Sequence, residues 1–218
     1  MKKSLLITVL LLTLIILGLT GLYFINKSPK VSPPINLTAT PIESPLVNEQ
    51  VSLSPAPFNT PVADFKSRIT KKPFGILISP KNSPVQPERF SGYHTAVDVE
   101  FEDVSDDVAV YAIADSQVAL SQTASGYGGV FMITFDLNGA RHSALYGHIR
   151  PSSIPKVGTS YKKGDRIALL GTGYSSETDG ERRHLHFAIL SDDSLTIKGY
   201  VSTKSQLSGW IDPLSLYP

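Results

Sequence analysis

From Asp64 onward the chain is a succession of short apolar runs cut apart by turn residues, and that pattern excludes a helical bundle. Residues 74–79, 108–114, 130–135, 143–146, 166–170, 185–190 and 197–201 are four to seven residues long and rich in Val, Ile, Phe, Tyr or Leu. Side chains of these types suit a pleated, half-buried surface, and no run is long enough to give a helix a buried face. Between the runs stand Gly126-Tyr127-Gly128-Gly129, Asn138-Gly139, Lys163-Gly164-Asp165 and Thr178-Asp179-Gly180, the chemistry of tight chain reversals. The expected fold class is therefore mostly β, with antiparallel sheet over residues 64–218. No period of about 20 to 50 residues repeats, so a solenoid or propeller is not expected.

The first 63 residues follow different rules. Residues 4–25 carry no charge and are relieved only by Ser4, Thr8, Thr13, Gly18, Thr20 and Gly21. As a helix they reach about 33 Å, enough to cross a hydrocarbon layer about 30 Å thick. A cleaved signal peptide has a shorter apolar stretch and ends in small residues, whereas this one ends in Leu22, Tyr23, Phe24 and Ile25. We read residues 1–27 as an uncleaved transmembrane anchor. Lys2 and Lys3 face Lys27 and Lys30 across it, so charge bias orients it weakly. The short N-terminal flank puts the exported domain on the outer side. Residues 28–63 hold eight of the sixteen prolines, interleaved with Ser, Thr and Asn and with no apolar period, and read as an extended tether. The expected organisation is anchor 1–27, linker 28–63 and globular domain 64–218.

Charge and cysteine usage narrow the chemistry. Twenty Lys plus Arg against nineteen Asp plus Glu give a net charge of +1, without the cationic surplus that phosphate backbones require, so nucleic acid is not an expected partner. The absence of cysteine removes disulfides, zinc-thiolate sites, Fe–S clusters and thiol nucleophiles. No GK[ST] phosphate loop or GxSxG elbow occurs, and Gly171-Thr172-Gly173 lacks the rest of a dinucleotide fingerprint.

All five histidines lie in the globular part: His94, His142, His148, His184 and His186. Side chains on a strand alternate, so His184 and His186 project from one face while Leu185, Phe187 and Ile189 take the other. By itself such a pair is more often surface than site. His94 and Asp98 form a second pair. Four residues of ideal strand cover roughly 13 Å, too far for two ligands within about 2.0 to 2.2 Å of one ion, so the chain is expected to bend between them. Ala96 stands where a larger side chain would take the ion's space. His148 closes an apolar run, where a lone histidine is usually structural, and His142 beside Arg141 near a turn reads as solvated. Taken together, four histidines and one aspartate exceed the three ligands of a catalytic zinc site by two imidazoles. The surplus could serve acid–base work near neutral pH.

In order along the chain, His94-Thr95-Ala96-Val97-Asp98, Tyr146-Gly147-His148 and His184-Leu185-His186-Phe187 match an HxGxD element, a YxH element and an HLHF element. The stretch from about residue 74 to 213 thereby resembles the LytM/lysostaphin-type zinc metallopeptidases that cut peptidoglycan peptides. Further support comes from the strand ending in Asp115, the Gly126-Tyr127-Gly128 hairpin, the Lys162-Lys163-Gly164-Asp165 turn and Ile211-Asp212-Pro213. The resemblance implies an antiparallel β metallopeptidase domain with an open groove. It assigns Zn2+ to His94, Asp98 and His186 and catalysis to His184 and His148. His184 is the first choice for the base and His148 for the oxyanion donor, with the reverse assignment left open. The substrate implied is a peptide bond in peptidoglycan stem peptides or cross-bridges, outside a bacterial cytoplasmic membrane.

Three positions depart from the family pattern. Ala96 replaces glycine, which matters only if φ there is positive. Ser116-Gln117 replaces a frequent glycine turn and reads as a loop variation. Arg182-Arg183 precedes the HxH element and is either solvated or a clamp for a carboxylate of the substrate. The Gly/Ser/Thr-rich residues 171–180 are expected to form one wall of the groove. The alternatives are a non-catalytic wall-binding or regulatory module acting with a partner protein, and a zinc carrier without hydrolysis. Retention of all five polar residues favours the enzyme.

Overall fold

The computed structural model describes residues 58–218, so the anchor expected at 1–27 and the tether as far as residue 57 lie outside the described residues. The domain runs through β1 (Leu77–Ile78), β2 (Gly92–His94), β3 (Val97–Glu100), β4 (Ala109–Tyr111), β5 (Ser116–Ala124) and β6 (Gly128–Leu137). It continues through β7 (Ala140–Ile149), β8 (Ser160–Tyr161), β9 (Arg166–Leu169), β10 (His184–Leu190), β11 (Tyr200–Val201) and β12 (Trp210–Ile211). Helical turns among the described residues are short 3-10 segments, as the lack of any long apolar period requires.

Seven strands form the main antiparallel sheet, in the order β12-β10-β7-β6-β5-β8, with β3 sharing one edge of β10. A smaller sheet orders β1-β2-β11, and β4 pairs with β9. Period-two alternation sorts the main sheet into two faces. Val97 and Val99 of β3, Phe131, Ile133 and Phe135 of β6, and Leu185, Phe187 and Ile189 of β10 point into the principal core. The other face carries a smaller apolar cluster around Val130, Met132, Leu145, Ala188 and Leu190, and beside it the polar residues of β3 and β10.

Three expectations change and one condition is resolved. The packed domain begins before Asp64: Val62 is buried in the principal core and Phe58 packs against it. These two apolar residues were hidden among the prolines. Ser116 and Gln117 open the nine-residue strand β5 rather than a loop. The run SQVALSQTA alternates too weakly to announce a strand, and its pairing with the apolar β6 makes it one. His142 is buried on β7, its Nδ1 3.0 Å from the carbonyl of Leu190, because the hairpin turn ends at Gly139 and the strand has already entered the sheet. Ala96 has no positive φ, so glycine is not needed there.

Candidate metal centre and its pocket

Strand register builds the centre. On β10, His186 stands opposite Asp98 and His184 opposite Glu100 of β3, so all four side chains share the sheet face away from the principal core. His94 belongs to the smaller sheet, where its amide donates to Ile76 at 2.9 Å. The chain bends at residues 95 and 96 and enters the main sheet at Val97. Thr95 pins the bend, its hydroxyl donating to the carbonyl of Lys198 at 2.7 Å. The bend brings His94 Nε2 within 3.3 Å of Asp98 Oδ1, which a continuous strand would not allow.

His186 Nδ1 completes a triangle, 3.1 Å from Asp98 Oδ1 and 3.2 Å from His94 Nε2. A tetrahedral ion about 2.0 to 2.1 Å from each of three ligands holds them about 3.3 to 3.4 Å apart, so the three atoms fit zinc or a similar divalent ion. His94, Asp98 and His186 are all buried and form a group suited to holding a metal. The outer hydrogen bond of His94 agrees. His94 Nδ1 donates to the carbonyl of Pro73 at 3.3 Å, which leaves Nε2 with its lone pair turned inward. Burial alone would raise the Asp98 carboxyl, but His184, His94 and Arg182 outweigh it and hold the group well below the usual carboxylate range.

His184 and His148 stand beside the triangle with ring centroids 4.1 Å apart. His184 Nδ1 donates to the carbonyl of Arg182 at 2.9 Å, so Nε2, 3.4 Å from Asp98 Oδ2, is the free acceptor. Burial drives its imidazole well below the usual range, with Arg182 and His148 adding to the effect and Asp98 opposing it. Strict alternation would turn His148 toward the principal core with Tyr146. Instead the register between β6 and β7 shifts at Gly129/Val130, and His148 takes φ +61°. The bulge turns its ring onto the site face. Burial lowers its imidazole to about 3, and its Nδ1 is buried without a protein partner.

A pocket of about 380 Å³ opens onto Asp98, His148, His184 and His186. Its walls come from Phe90 and Ser91, from residues 125–127 and from residues 197–200. Residues 171–180 are not a wall, contrary to expectation. They stand behind one: the Asp179 carboxylate accepts from the Gly126 amide at 2.7 Å and so holds the β5–β6 hairpin in place.

The Arg182-Arg183 pair is buried rather than solvated. Arg182 Nη2 donates to Asp98 Oδ2 at 2.8 Å and to Glu100 Oε1 at 2.7 Å, while Arg183 donates to the carbonyls of Val104 and Asp106. Arg182 lines the pocket with its fork already committed to protein carboxylates. Sequence reasoning also missed Tyr127 as a site residue. Its ring lies 5.5 Å from His148 and 5.3 Å from His186, and its hydroxyl is buried without a protein partner. Burial, reinforced by Asp98, raises that phenol and keeps it protonated. The one available signal was the glycine at 147, where a Cβ would sit 2.5 Å from the Tyr127 ring.

Two histidines and an aspartate converging on one face of an antiparallel sheet, with two spare imidazoles alongside, define a metallopeptidase-type domain. Residues 92–197 match the model of peptidase family M23, and the domain belongs to that family, the LytM/lysostaphin type that its motifs resemble. Among solved structures, the chain is similar to LytU, with 25% identity, TM-score 0.44 and coverage of 68% of this chain and 82% of that one. It is also similar to the SpoIIIAH and SpoIIQ complex, with 19% identity, TM-score 0.47 and coverage of 72% and 98%. A third similarity is to a zinc containing peptidase from Vibrio cholerae, with 23% identity, TM-score 0.35 and coverage of 55% and 33%. No curated protein matches the chain.

Proposed function

We propose that the protein is a membrane-anchored zinc endopeptidase that hydrolyses peptide bonds in peptidoglycan stem peptides or cross-bridges on the outer side of the cytoplasmic membrane. The observation that carries the reading is the triangle of His94 Nε2, Asp98 Oδ1 and His186 Nδ1, with edges of 3.1 to 3.3 Å, set beside two further imidazoles. A bound zinc ion supplies Lewis-acid activation of water and carbonyl near neutral pH. His94, Asp98 and His186 hold it.

The remaining groups move protons and bind oxygen. His184 Nε2 is the free lone pair of a neutral ring whose other nitrogen is fixed on a backbone carbonyl, so it takes a proton from the attacking water and delivers it to the leaving amine. His148 is neutral, and as an N–H donor it stabilises the oxygen that gains charge. Tyr127 lines the same pocket, and its protonated hydroxyl is buried without a protein partner. The pocket is open enough for an extended peptide to lie between the β5–β6 hairpin and residues 197–200.

The test is digestion of defined muropeptides by the full-length, zinc-loaded protein, followed by fragment masses. A fragment pair differing from the parent by one water at a peptide bond is expected, and the cleaved bond identifies the substrate. Binding of muropeptides with no new fragment would instead establish the non-catalytic wall-binding module.

A further inference from the structure

Behind the metal triangle lies a buried pair that none of the histidine motifs contains. Glu100 follows Asp98 by two residues on β3 and shares its face, and Arg182 lies two residues before His184, the first residue of β10. The Arg182 side chain is 2% exposed and that of Glu100 10%. Its guanidinium grips Glu100 through both nitrogens on that edge, Nε to Oε2 at 2.9 Å and Nη2 to Oε1 at 2.7 Å. The same Nη2 donates to Asp98 Oδ2 at 2.8 Å. Asp98 is thus divided between two partners: Oδ1 faces His94 and His186, and Oδ2 faces Arg182, with His184 Nε2 at 3.4 Å.

We propose that Glu100 and Arg182 are a positioning pair for the metal site. Arg182 occupies Oδ2, so Asp98 offers Oδ1 alone, and Glu100 cancels the charge of Arg182, so the centre keeps the net charge of −1 that a lone aspartate would give it. The proposal rests on the zinc reading above. Its physical basis is that a guanidinium cannot shed its proton, so an Arg laid on a metal-binding carboxylate offsets the attraction for a divalent ion unless a second carboxylate restores it. A forked guanidinium spans two carboxylates in fixed geometry, which one ammonium does not. Partners outside the ligand shell commonly change metal affinity about 10- to 100-fold.

A purely structural ion pair makes a different prediction, and zinc affinity separates the two. Zinc dissociation constants are measured on the full-length protein by competition with a chromophoric chelator, with folding checked by far-UV circular dichroism. Glu100→Gln keeps the shape and removes the balancing charge, and should weaken zinc binding about 10- to 100-fold. The double variant Glu100→Gln/Arg182→Gln restores the net charge of −1 with neutral donors and should bind zinc within tenfold of wild type. Wild-type affinity in folded Glu100→Gln, or a double variant weaker than the single one, overturns the proposal. If Glu100→Gln does not fold, the double variant decides alone: binding within tenfold supports charge balance, and a greater loss overturns it. Failure of the wild-type protein to bind zinc would sink the metal reading itself, a separate outcome.

Discussion

His148 is a non-glycine residue at φ +61°, a backbone state that costs about 1 to 3 kcal/mol and persists where the surroundings or the function demand it. Here it turns an imidazole from the core side of β7 to the site side. Asn tolerates the same backbone, so His148→Asn should keep the melting temperature within a few degrees and lower muropeptide hydrolysis about 10²- to 10⁴-fold. His184→Ala should lose a similar factor while zinc affinity stays near wild type, because His184 is not part of the ligand triangle. Asp98→Ala should lose stoichiometric zinc altogether. Metal analysis after gel filtration checks both, and zinc lost in His184→Ala would move that residue into the ligand set.

At the scale of elements, the site depends on where strands stop obeying period two. The alternation of β10 is legible from His184-Leu185-His186-Phe187 alone, and the need for a bend between His94 and Asp98 follows from strand length. The His148 bulge is not legible, because its cause is a register shift against β6. The burial of Arg182 is not legible either, because Glu100, its partner, lies 82 residues away in sequence. β5 is missed because Ser, Gln and Thr fill more than half of it and its strand character comes from β6. A glycine reports one of these packings. A Cβ at Gly147 would lie 2.5 Å from the Tyr127 ring and 3.2 Å from His186 Cβ. Gly147→Ala should therefore displace Tyr127 and destabilise the domain by about 1 to 3 kcal/mol, read as a lower urea midpoint. An unchanged midpoint would show that the hairpin yields without cost.

For the whole molecule, a buried pair on the pocket wall ties stability to pH. Lys72 and Glu88, each 3% exposed in its side chain, meet at 2.5 Å, and Lys72 also donates to the Tyr200 hydroxyl at 3.1 Å. Burial alone would raise the Glu88 carboxyl, but Lys72, the Phe90 amide and the Ser83 hydroxyl outweigh it and lower it. A carboxyl depressed in the folded state contributes stability that is present above its unfolded value of about 4.3 and is lost as pH falls through the folded value. Glu88→Gln should therefore be less stable than wild type at pH 7 by about 3 to 5 kcal/mol, since it leaves the charge of Lys72 buried without its carboxylate partner. The gap should close in strongly acidic solution, where the wild-type carboxyl is itself protonated. Urea midpoints against pH measure this, and parallel curves for the two proteins would contradict it.

The central claim, that three ligands and two spare imidazoles together make a wall-cutting peptidase, meets its most direct test in one measurement: release of new amino termini from purified peptidoglycan by the full-length protein. The account predicts release with zinc bound, none after complete chelation, and recovery when zinc is returned. No release by zinc-loaded protein, or release that chelation leaves undiminished, would contradict it.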